Sequence, residues 1–511
     1  MTCTTLELIN RGAKHYPDRL AIVYDDQSFT FREVDHLSSQ LAHALHATGA
    51  KQNTRVALLM NNGPWSVPMD FACVKAGLNR VPLNARLSVQ EHVRMLQETG
   101  ARCLVFDAEL ADHASAIKQL LPDLQCHTLV DAVTEGDSLS TLAQSQPTTA
   151  PEIVIREDDV ILTLFTSGTT GTLKAAQHTQ ASYAGICRNV LMNLINVEND
   201  DAMLHAASLI HASGVFVLPF WLRGAKTVVM RAFDPGTFLQ LIARERITAI
   251  NLVPTMLQML LAHPDCQQAD VSSLRQIIYG ASPMPRPVIE NAMALWGQHR
   301  FWQYYGQTEC PLCITVLRPE DHTADLLGSC GKPCVDVDLR LINADGNDVP
   351  SGEPGEIAVR APSMMAGYYN AESLNAEMFT KDGWLRTRDI AALDERGFLH
   401  IKDRTSDMII TGGYNVYPRE VEDVLMEHPA VAECSVVGTR DEKWVEVVTA
   451  AVAISPGQQV TEAELIGFVS ERLASYKKPR RVVFINAVPK TPVGKLNRKA
   501  VRDMLANQTA T

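Results

Sequence analysis

Short apolar runs and amphipathic stretches alternate through most of this chain, and that alternation leaves few folds open to it. Thr30 followed three residues later by Glu33 is a capping-box pattern, and behind it Val34, Leu37, Leu41 and Leu45 recur at helical spacing as far as Gly49. Arg55–Met60 then reads as a strand, Trp65–Ala76 as a helix, Asn79–Leu83 as a strand and Val89–Thr99 as a helix. Further strands are expected at Lys226–Met230, Ala249–Val253 and Arg275–Tyr279, with helical stretches between them. Such a series predicts an α/β fold with mainly parallel sheets. From about Gly328 the texture changes to short apolar runs punctuated by Gly, Asn and Pro, as in Asp338–Ile342 and Gly355–Arg360, which predicts a β-rich subdomain.

A chain of 511 residues exceeds one ordinary core, so at least two domains are expected. The main boundary is expected near Asp403–Asp407. It separates a large N-terminal domain, 1–403, built of α/β subdomains plus the β-rich one, from a small α+β C-terminal domain, 408–511. A hydrophobic share of 46% with 20% charged residues fits a globular protein.

The net charge of −12 argues against a nucleic-acid binder, which would carry a basic excess. One basic strip stands out: between Glu471 and Arg502 there are ten Lys or Arg residues and one acid. It is either a solvated surface or a face for phosphates. The start lacks the basic region and apolar run of a secretory signal and the end lacks a peroxisomal tripeptide, so the cytoplasm is the expected compartment. The most apolar window, Leu204–Leu222, is broken by His205, Ser208, His211, Ser213, Gly214 and Pro219, so no membrane span is expected. Eleven cysteines without a secretion signal are expected to be reduced. Cys310, Cys313, Cys330 and Cys334 approach zinc-site spacing, but buried free thiols are the preferred reading.

The stretch Ile161–Lys174, ILTLFTSGTTGTLK, carries the first chemical signal. Ile161–Phe165 has the length and composition of a buried strand, and it runs straight into Thr166, Ser167, Gly168, Thr169, Thr170, Gly171 and Thr172, followed by Lys174. Small hydroxyl residues with open backbone N–H groups and a nearby lysine can surround a polyphosphate. Leu173 and Ala175 flank the lysine, so this is not the loop of P-loop NTPases. Taken alone, a Gly/Thr-rich surface loop remains the alternative.

Four later stretches complete a pattern: Tyr305-Gly-Gln-Thr-Glu309, Gly383-Trp-Leu-Arg-Thr-Arg-Asp389, Asp403-Arg-Thr-Ser-Asp407 through Gly412-Gly413, and Pro489-Lys-Thr-Pro-Val-Gly-Lys495. With these the chain resembles the acyl-adenylate-forming superfamily, which includes acyl- and aryl-CoA ligases, luciferases and the adenylation domains of peptide synthetases. The resemblance implies a two-step reaction. A carboxylate attacks the α-phosphorus of ATP, expelling pyrophosphate, and a thiol then attacks the acyl-AMP. It implies that Thr166–Lys174 hold the β- and γ-phosphates, that Thr308 touches the α-phosphate and that Glu309 coordinates Mg2+. Asp389 and Arg404 would bind the ribose, and Gly280, Ala281 and Ser282 with Tyr304 and Tyr305 would flank adenine. Lys495 would bridge the substrate carboxylate and the α-phosphate.

The basic strip then gains a reading. Lys478 and Arg480 fall where related ligases bind the nucleotide of coenzyme A, Trp444 would stack on its adenine, and Gly412 and Gly413 would let a hairpin approach the pantetheine tunnel. The C-terminal domain would rotate about 404–407 between steps. The chain departs from the family at Ser406, at Leu173 and Ala175, and at Arg388, where the family usually carries glycine. A Gly-to-Arg change restricts the backbone wherever φ is positive.

Peptide-synthetase domains carry an acid in the segment that here reads Leu209–Val217, and none occurs there. His211 followed by Gly214 is similar to fatty-acyl and aryl ligases, in which the matching residue borders the acyl pocket, though a core histidine is the alternative. Val215, Phe216, Leu252, Val253, Met256 and Leu257 point to a hydrophobic acid. The expected activity is an ATP-dependent acyl- or aryl-CoA ligase using ATP, Mg2+ and coenzyme A. The alternatives are a ligase that loads an acyl carrier protein and a silent nucleotide- or acyl-binding homologue.

Overall fold

The computed structural model describes residues 3–130, 138–166, 174–411, 414–441, 444–491 and 496–509. They form a mixed α/β protein of two compact units. One comprises Met1–Thr166, Leu173–Asp338 and Arg360–Phe379; the other takes Leu339–Val359 and Thr380–Thr511. The β-rich segment after Asp338 thus groups with the C-terminal part of the chain, whereas the sequence reading sets it in the N-terminal domain.

The larger unit contains, among the described residues, a nine-stranded and a seven-stranded sheet. The parallel centre of the first runs Leu20–Tyr24, Lys226–Val229, Ala202–His205, Ala249–Leu252, Gln276–Gly280 and Phe301–Gln307. Antiparallel strands close both edges. In the second, Arg55–Leu59 lies between Asn79–Leu83 and Cys103–Phe106, and Val160–Thr166 extends the parallel set beside Asn79–Leu83. Lys174–Thr179 then returns antiparallel. The expected strands and helices recur here within one or two residues.

Local chemistry explains these elements. Thr30 accepts from the Glu33 N–H while the Glu33 carboxylate accepts from the Thr30 N–H, so two otherwise orphaned donors are satisfied at the start of the helix Phe31–Ala47. Val34, Leu41 and Leu45 on that helix are fully buried. Ser88 and Glu91 repeat the box for Val89–Thr99, which Gly100 ends in the left-handed region. The strand Val160–Thr166 is seated by its neighbour: Arg80, buried beside Asp70, donates to the Ile161 carbonyl, and Thr163 donates to Asn79. No described helix is long and apolar enough to cross a membrane. The window Leu204–Leu222 is instead the end of a strand, a turn and the short helices Ala212–Val215 and Val217–Leu222. The eleven cysteines are free thiols, with Cys310, Cys313, Cys330 and Cys334 buried.

Among the described residues the smaller unit carries two sheets. Gly355–Arg360, Leu385–Leu393 and Leu399–Arg404 form one with Asp338–Ile342. In the other, Val431–Asp441 pairs with Val445–Ile454 over a core of Ile409, Val416, Val421, Leu425, Val436, Val448 and Leu465. The predicted hinge is framed by one cation. Arg498, half-buried at the start of the helix Arg498–Thr509, bonds Asp403, Asp407 and Glu422 at 3.0, 3.2 and 2.6 Å. These carboxylates hold its guanidinium above the usual arginine range despite burial.

Arg388 has φ +63°, the left-handed conformation that its replacement of glycine made a concern. Its N–H donates to Glu356 at 3.0 Å and its carbonyl accepts from the Thr405 N–H at 2.9 Å, so the surroundings enforce the strained backbone. Left-handed geometry costs a non-glycine residue about 1–2 kcal/mol, against an entropic cost of about 0.5–1 kcal/mol for glycine. Arg388→Gly should therefore raise stability by up to about 1 kcal/mol, read as a higher urea midpoint at unchanged slope; a lower midpoint would show that the Arg388 side chain contributes more than its strain costs. A second prediction concerns His92, His178 and His205, each pushed down to about 4 by burial. The unfolded chain takes up their protons near the usual histidine pKa of about 6.5 and the folded chain does not. Stability should hold above that pH and fall steadily as pH drops toward 4, and thermal midpoints measured from pH 8 to 4 that stay flat across this window would contradict it.

Candidate active site

Open parallel sheets bind ligands beyond the carboxyl ends of their strands, where the strand order reverses. In the nine-stranded sheet that point is Ala202–His205. The next strand in the chain, Lys226–Val229, lies on one side of it, and Ala249–Leu252, Gln276–Gly280 and Phe301–Gln307 lie on the other. The segments leaving these carboxyl ends carry His211, Val253, Gly280–Ser282 and Thr308–Glu309, so residues far apart in sequence share one edge.

The His211 turn is built by three contacts. Asn62, which follows a strand of the other sheet, is buried, donates to the carbonyls of Ala207 and Met230 at 3.0 Å each, and accepts from the Leu209 N–H at 2.9 Å. His205 Nδ1 is hydrogen-bonded to Ser213 Oγ at 2.9 Å, which draws in the helix behind the turn. Gly214 closes it: a Cβ there would lie 1.8 Å from the Leu209 carbonyl oxygen. His211 itself is half-buried at the start of Ala212–Val215.

Behind the turn, Phe216 packs edge-on against Tyr304 with ring centroids 6.5 Å apart. Tyr304 is buried and Tyr305 half-buried, and as consecutive strand residues they face opposite sides of the sheet. The pair therefore does not present both rings to one ligand. A Cβ on Gly280 would sit 2.4 Å from the Tyr304 carbonyl oxygen, and Ala281 beside it has φ +66°. Ser282 is half-buried in the same segment. Leu252 and Leu257, read from sequence as pocket residues, are fully buried in the core under the sheet with Met256, while Val253 is only partly buried. Apolar character has the same appearance in both settings.

Thr308 and Glu309 are the two residues joining the antiparallel strands Phe301–Gln307 and Cys310–Leu317. Both carbonyls are held. His178 Nε2–H donates to Thr308 at 2.8 Å, and the Met365 N–H donates to Glu309 at 2.8 Å. Burial keeps His178 neutral near pH 7, with its pKa at about 4. The Glu309 carboxylate accepts from the Tyr368 hydroxyl and is buried.

Thr166 stands opposite Lys174 in the antiparallel pair Val160–Thr166 and Lys174–Thr179, and Lys174 Nζ lies 5.7 Å from the centre of the Tyr368 ring. The connecting residues Ser167, Gly168, Thr169, Thr170, Gly171 and Thr172 lie outside the described residues. Asn62, His178 and Tyr368 were not anticipated. A signal for His178 exists: it stands four residues beyond Lys174 on one strand and so on the same face.

In the smaller unit, Asp389 and Arg404 are directly opposite across the ladder and form an ion pair at 3.2 Å, with the carboxylate buried. Arg480 lies over the Trp444 ring at 4.5 Å. Much of the basic strip is committed internally: Lys477 to Glu420, Lys490 to Glu433, Arg498 and Arg502 to carboxylates around Asp407. Lys478 and Arg480 have no carboxylate partner among the described residues. Thr411 pairs opposite Tyr414 on either side of Gly412 and Gly413, which lie outside the described residues, as does Lys495.

The profile of the AMP-binding enzyme family matches residues 9–369, and that of the AMP-binding enzyme C-terminal domain matches residues 420–495. Feruloyl-CoA synthase of an Amycolatopsis species is 36% identical over 96% of this chain and 97% of its own. Medium/long-chain-fatty-acid–CoA ligase FadD8 of Mycobacterium tuberculosis is 36% identical over 97% of this chain and 89% of its own. Among solved structures, o-succinylbenzoate CoA synthetase (MenE) of Bacillus subtilis, in complex with its acyl-adenylate intermediate, superimposes with a TM-score of 0.84 at 32% identity, covering 97% of this chain and 98% of its own. With a family profile spanning well over half of its length and relatives similar from end to end, the chain belongs to the AMP-binding enzyme family.

Proposed function

We propose that this chain is an ATP-dependent ligase that joins a hydrophobic acyl or aryl carboxylic acid to coenzyme A. The observation that carries the proposal is the convergence at one sheet edge of the His211 turn, Gly280–Ser282 and the held pair Thr308–Glu309. A pocket for an acid and a platform for a nucleotide then adjoin. In the first step a carboxylate oxygen bonds to the α-phosphorus as the bond to the bridging oxygen breaks and pyrophosphate leaves. Two anions must meet, so charge neutralisation and alignment matter more than a base. Lys174 and the Thr166–Thr172 loop would neutralise the β- and γ-phosphates, and Thr308 would donate to the α-phosphate. The buried Glu309 carboxylate, oriented by a phenol, is an oxygen donor that suits Mg2+, which would supply further positive charge to the polyphosphate. Asp389, steadied by Arg404, would accept the ribose hydroxyls, and by its place in its motif Lys495 would bridge the two reacting anions.

In the second step the coenzyme A thiol loses its proton, its sulfur bonds to the acyl carbon, and AMP leaves with the electrons of the broken C–O bond. Lys478, and Arg480 over Trp444, would bind the nucleotide of coenzyme A. Gly412 and Gly413 would admit the pantetheine arm after residues 408–511 turn about 404–407. A hydrophobic acid is favoured because Leu209–Val217 contains no acid and Phe216 and Tyr304 wall its inner side.

Pyrophosphate release with ATP and Mg2+ should appear for one class in a panel of fatty, aryl and short dicarboxylic acids, with thioester formed only when coenzyme A is added. A thioester formed on a carrier protein but not on coenzyme A would redirect the second step, and silence with every acid while ATP still binds would overturn the ligase reading. Lys495→Ala should lower pyrophosphate release by two or more orders of magnitude, on the order expected when a transition-state charge is removed, yet spare thioester formation from supplied acyl-AMP. Equal loss of both steps would contradict the two-orientation scheme.

A further inference from the structure

We propose that Tyr368 is a positioning residue that sets how Glu309 meets its metal and where Lys174 meets the polyphosphate. The inference rests on the reading of Glu309 as the metal-binding carboxylate. Tyr368 is 4% exposed, and its hydroxyl donates to Glu309 Oε1 while its ring face lies under the Lys174 ammonium at 5.7 Å. One side chain therefore touches both charged groups that the first step requires.

Its own placement is tightly determined. Asn375 grips the Tyr368 backbone from both ends, accepting from its N–H and donating to its carbonyl at 2.8 Å each. The strand Gly367–Tyr368 pairs with Lys174–Thr179, Tyr368 opposite Ala176 and Gly367 opposite Gln177. The flanking N–H groups continue the clasp: Met365 donates to the Glu309 carbonyl, Ala366 to Gln177 and Tyr369 to Ala175, each at 2.8 Å. Five consecutive residues thus hold the exit of the phosphate loop and the Thr308–Glu309 turn in one register.

The chemistry follows from which carboxylate oxygen is occupied. With Oε1 held by a phenol, Glu309 offers a cation chiefly Oε2, a one-oxygen contact. Mg2+, small and octahedral, takes carboxylates in that way, whereas the larger Ca2+ tolerates two-oxygen binding. Tyr368 accordingly favours Mg2+ over Ca2+ at this position. The ring face attracts the Lys174 ammonium and restrains a flexible side chain before ATP arrives.

The test measures ATP binding by calorimetry over a series of Mg2+ and Ca2+ concentrations, for the full chain and for Tyr368→Phe, Tyr368→Leu and Glu309→Gln. Tyr368→Phe keeps the ring and its volume. It should raise the half-saturating Mg2+ roughly tenfold, the size expected for a hydrogen bond to a charged group, and narrow the preference for Mg2+ over Ca2+, with metal-free ATP binding and the KM for the acid unchanged. Tyr368→Leu should in addition weaken metal-free ATP binding by roughly threefold as the ring under Lys174 is lost. A Tyr368→Phe protein with the parent's Mg2+ requirement and metal preference, in an assay where Glu309→Gln alters both, overturns the inference. Indifference of the metal dependence to Glu309→Gln overturns instead the reading of Glu309 beneath it.

Discussion

The hydrogen bonds that reach the Thr308–Glu309 turn from the neighbouring sheet are the constraint on which the site depends. His178 stands in the seven-stranded sheet and Thr308 at the edge of the nine-stranded one, so the bond between them ties the phosphate-loop strand to the turn carrying the metal-binding candidate. A two-residue connection between strands is otherwise free to twist, and its carbonyls would need water. Buried partners replace that water and leave a single geometry. Asn62 performs the same service for the His211 turn, with three bonds that a hydrophobic residue of equal size could not make. The two sheets of the larger unit are thus joined by polar contacts where the chemistry lies and by apolar packing elsewhere.

The sequence and the structure agree where the determining physics is local. The capping box at Thr30, the helix Val89–Thr99 and the buried strands at Arg55, Asn79 and Ile161 each depend on residues a few positions apart. The site residues missed from sequence depend on partners far away along the chain: 130 residues for His178 and Thr308, 59 for Tyr368 and Glu309, 147 for Asn62 and Leu209. A buried histidine, tyrosine or asparagine carries no local mark of the carbonyl or carboxylate it will meet. Leu252 and Leu257 fail in the opposite direction, because burial in a core and burial against an acyl chain select the same side chains.

Glycine and its replacements give a second comparison. Gly214 and Gly280 belong to sequence motifs, and the structure supplies the cause: in each a Cβ would strike a carbonyl that shapes the site. Arg388 keeps the left-handed backbone of a glycine position without being glycine, and Glu356 and Thr405 hold it there. The neighbouring Asp389 keeps its ion pair with Arg404. The departure from the family pattern therefore costs strain and leaves the geometry of the adjacent carboxylate in place, which counts against reading this chain as a degenerate nucleotide-binding protein.

Arg498 sets the energetic terms of the proposed rotation. It holds Asp403 before the segment 404–407, Asp407 at its end and Glu422 after it. A half-buried cation with three carboxylates is costly to separate from one of them, yet two remain to keep it neutralised. A turn about 404–407 that carries Arg498 with the C-terminal residues would thus exchange its Asp403 bond, along with the Arg419 N–H bond to Asp403 and the Lys402–Glu420 pair, without leaving Arg498 a bare charge. Ser406 within that segment adds no charge of its own to that exchange. The latch across the pivot is then a small set of polar contacts, the Arg498–Asp403 and Lys402–Glu420 ion pairs and the Arg419 N–H bond to Asp403, few enough to be released against the binding free energy of two substrates.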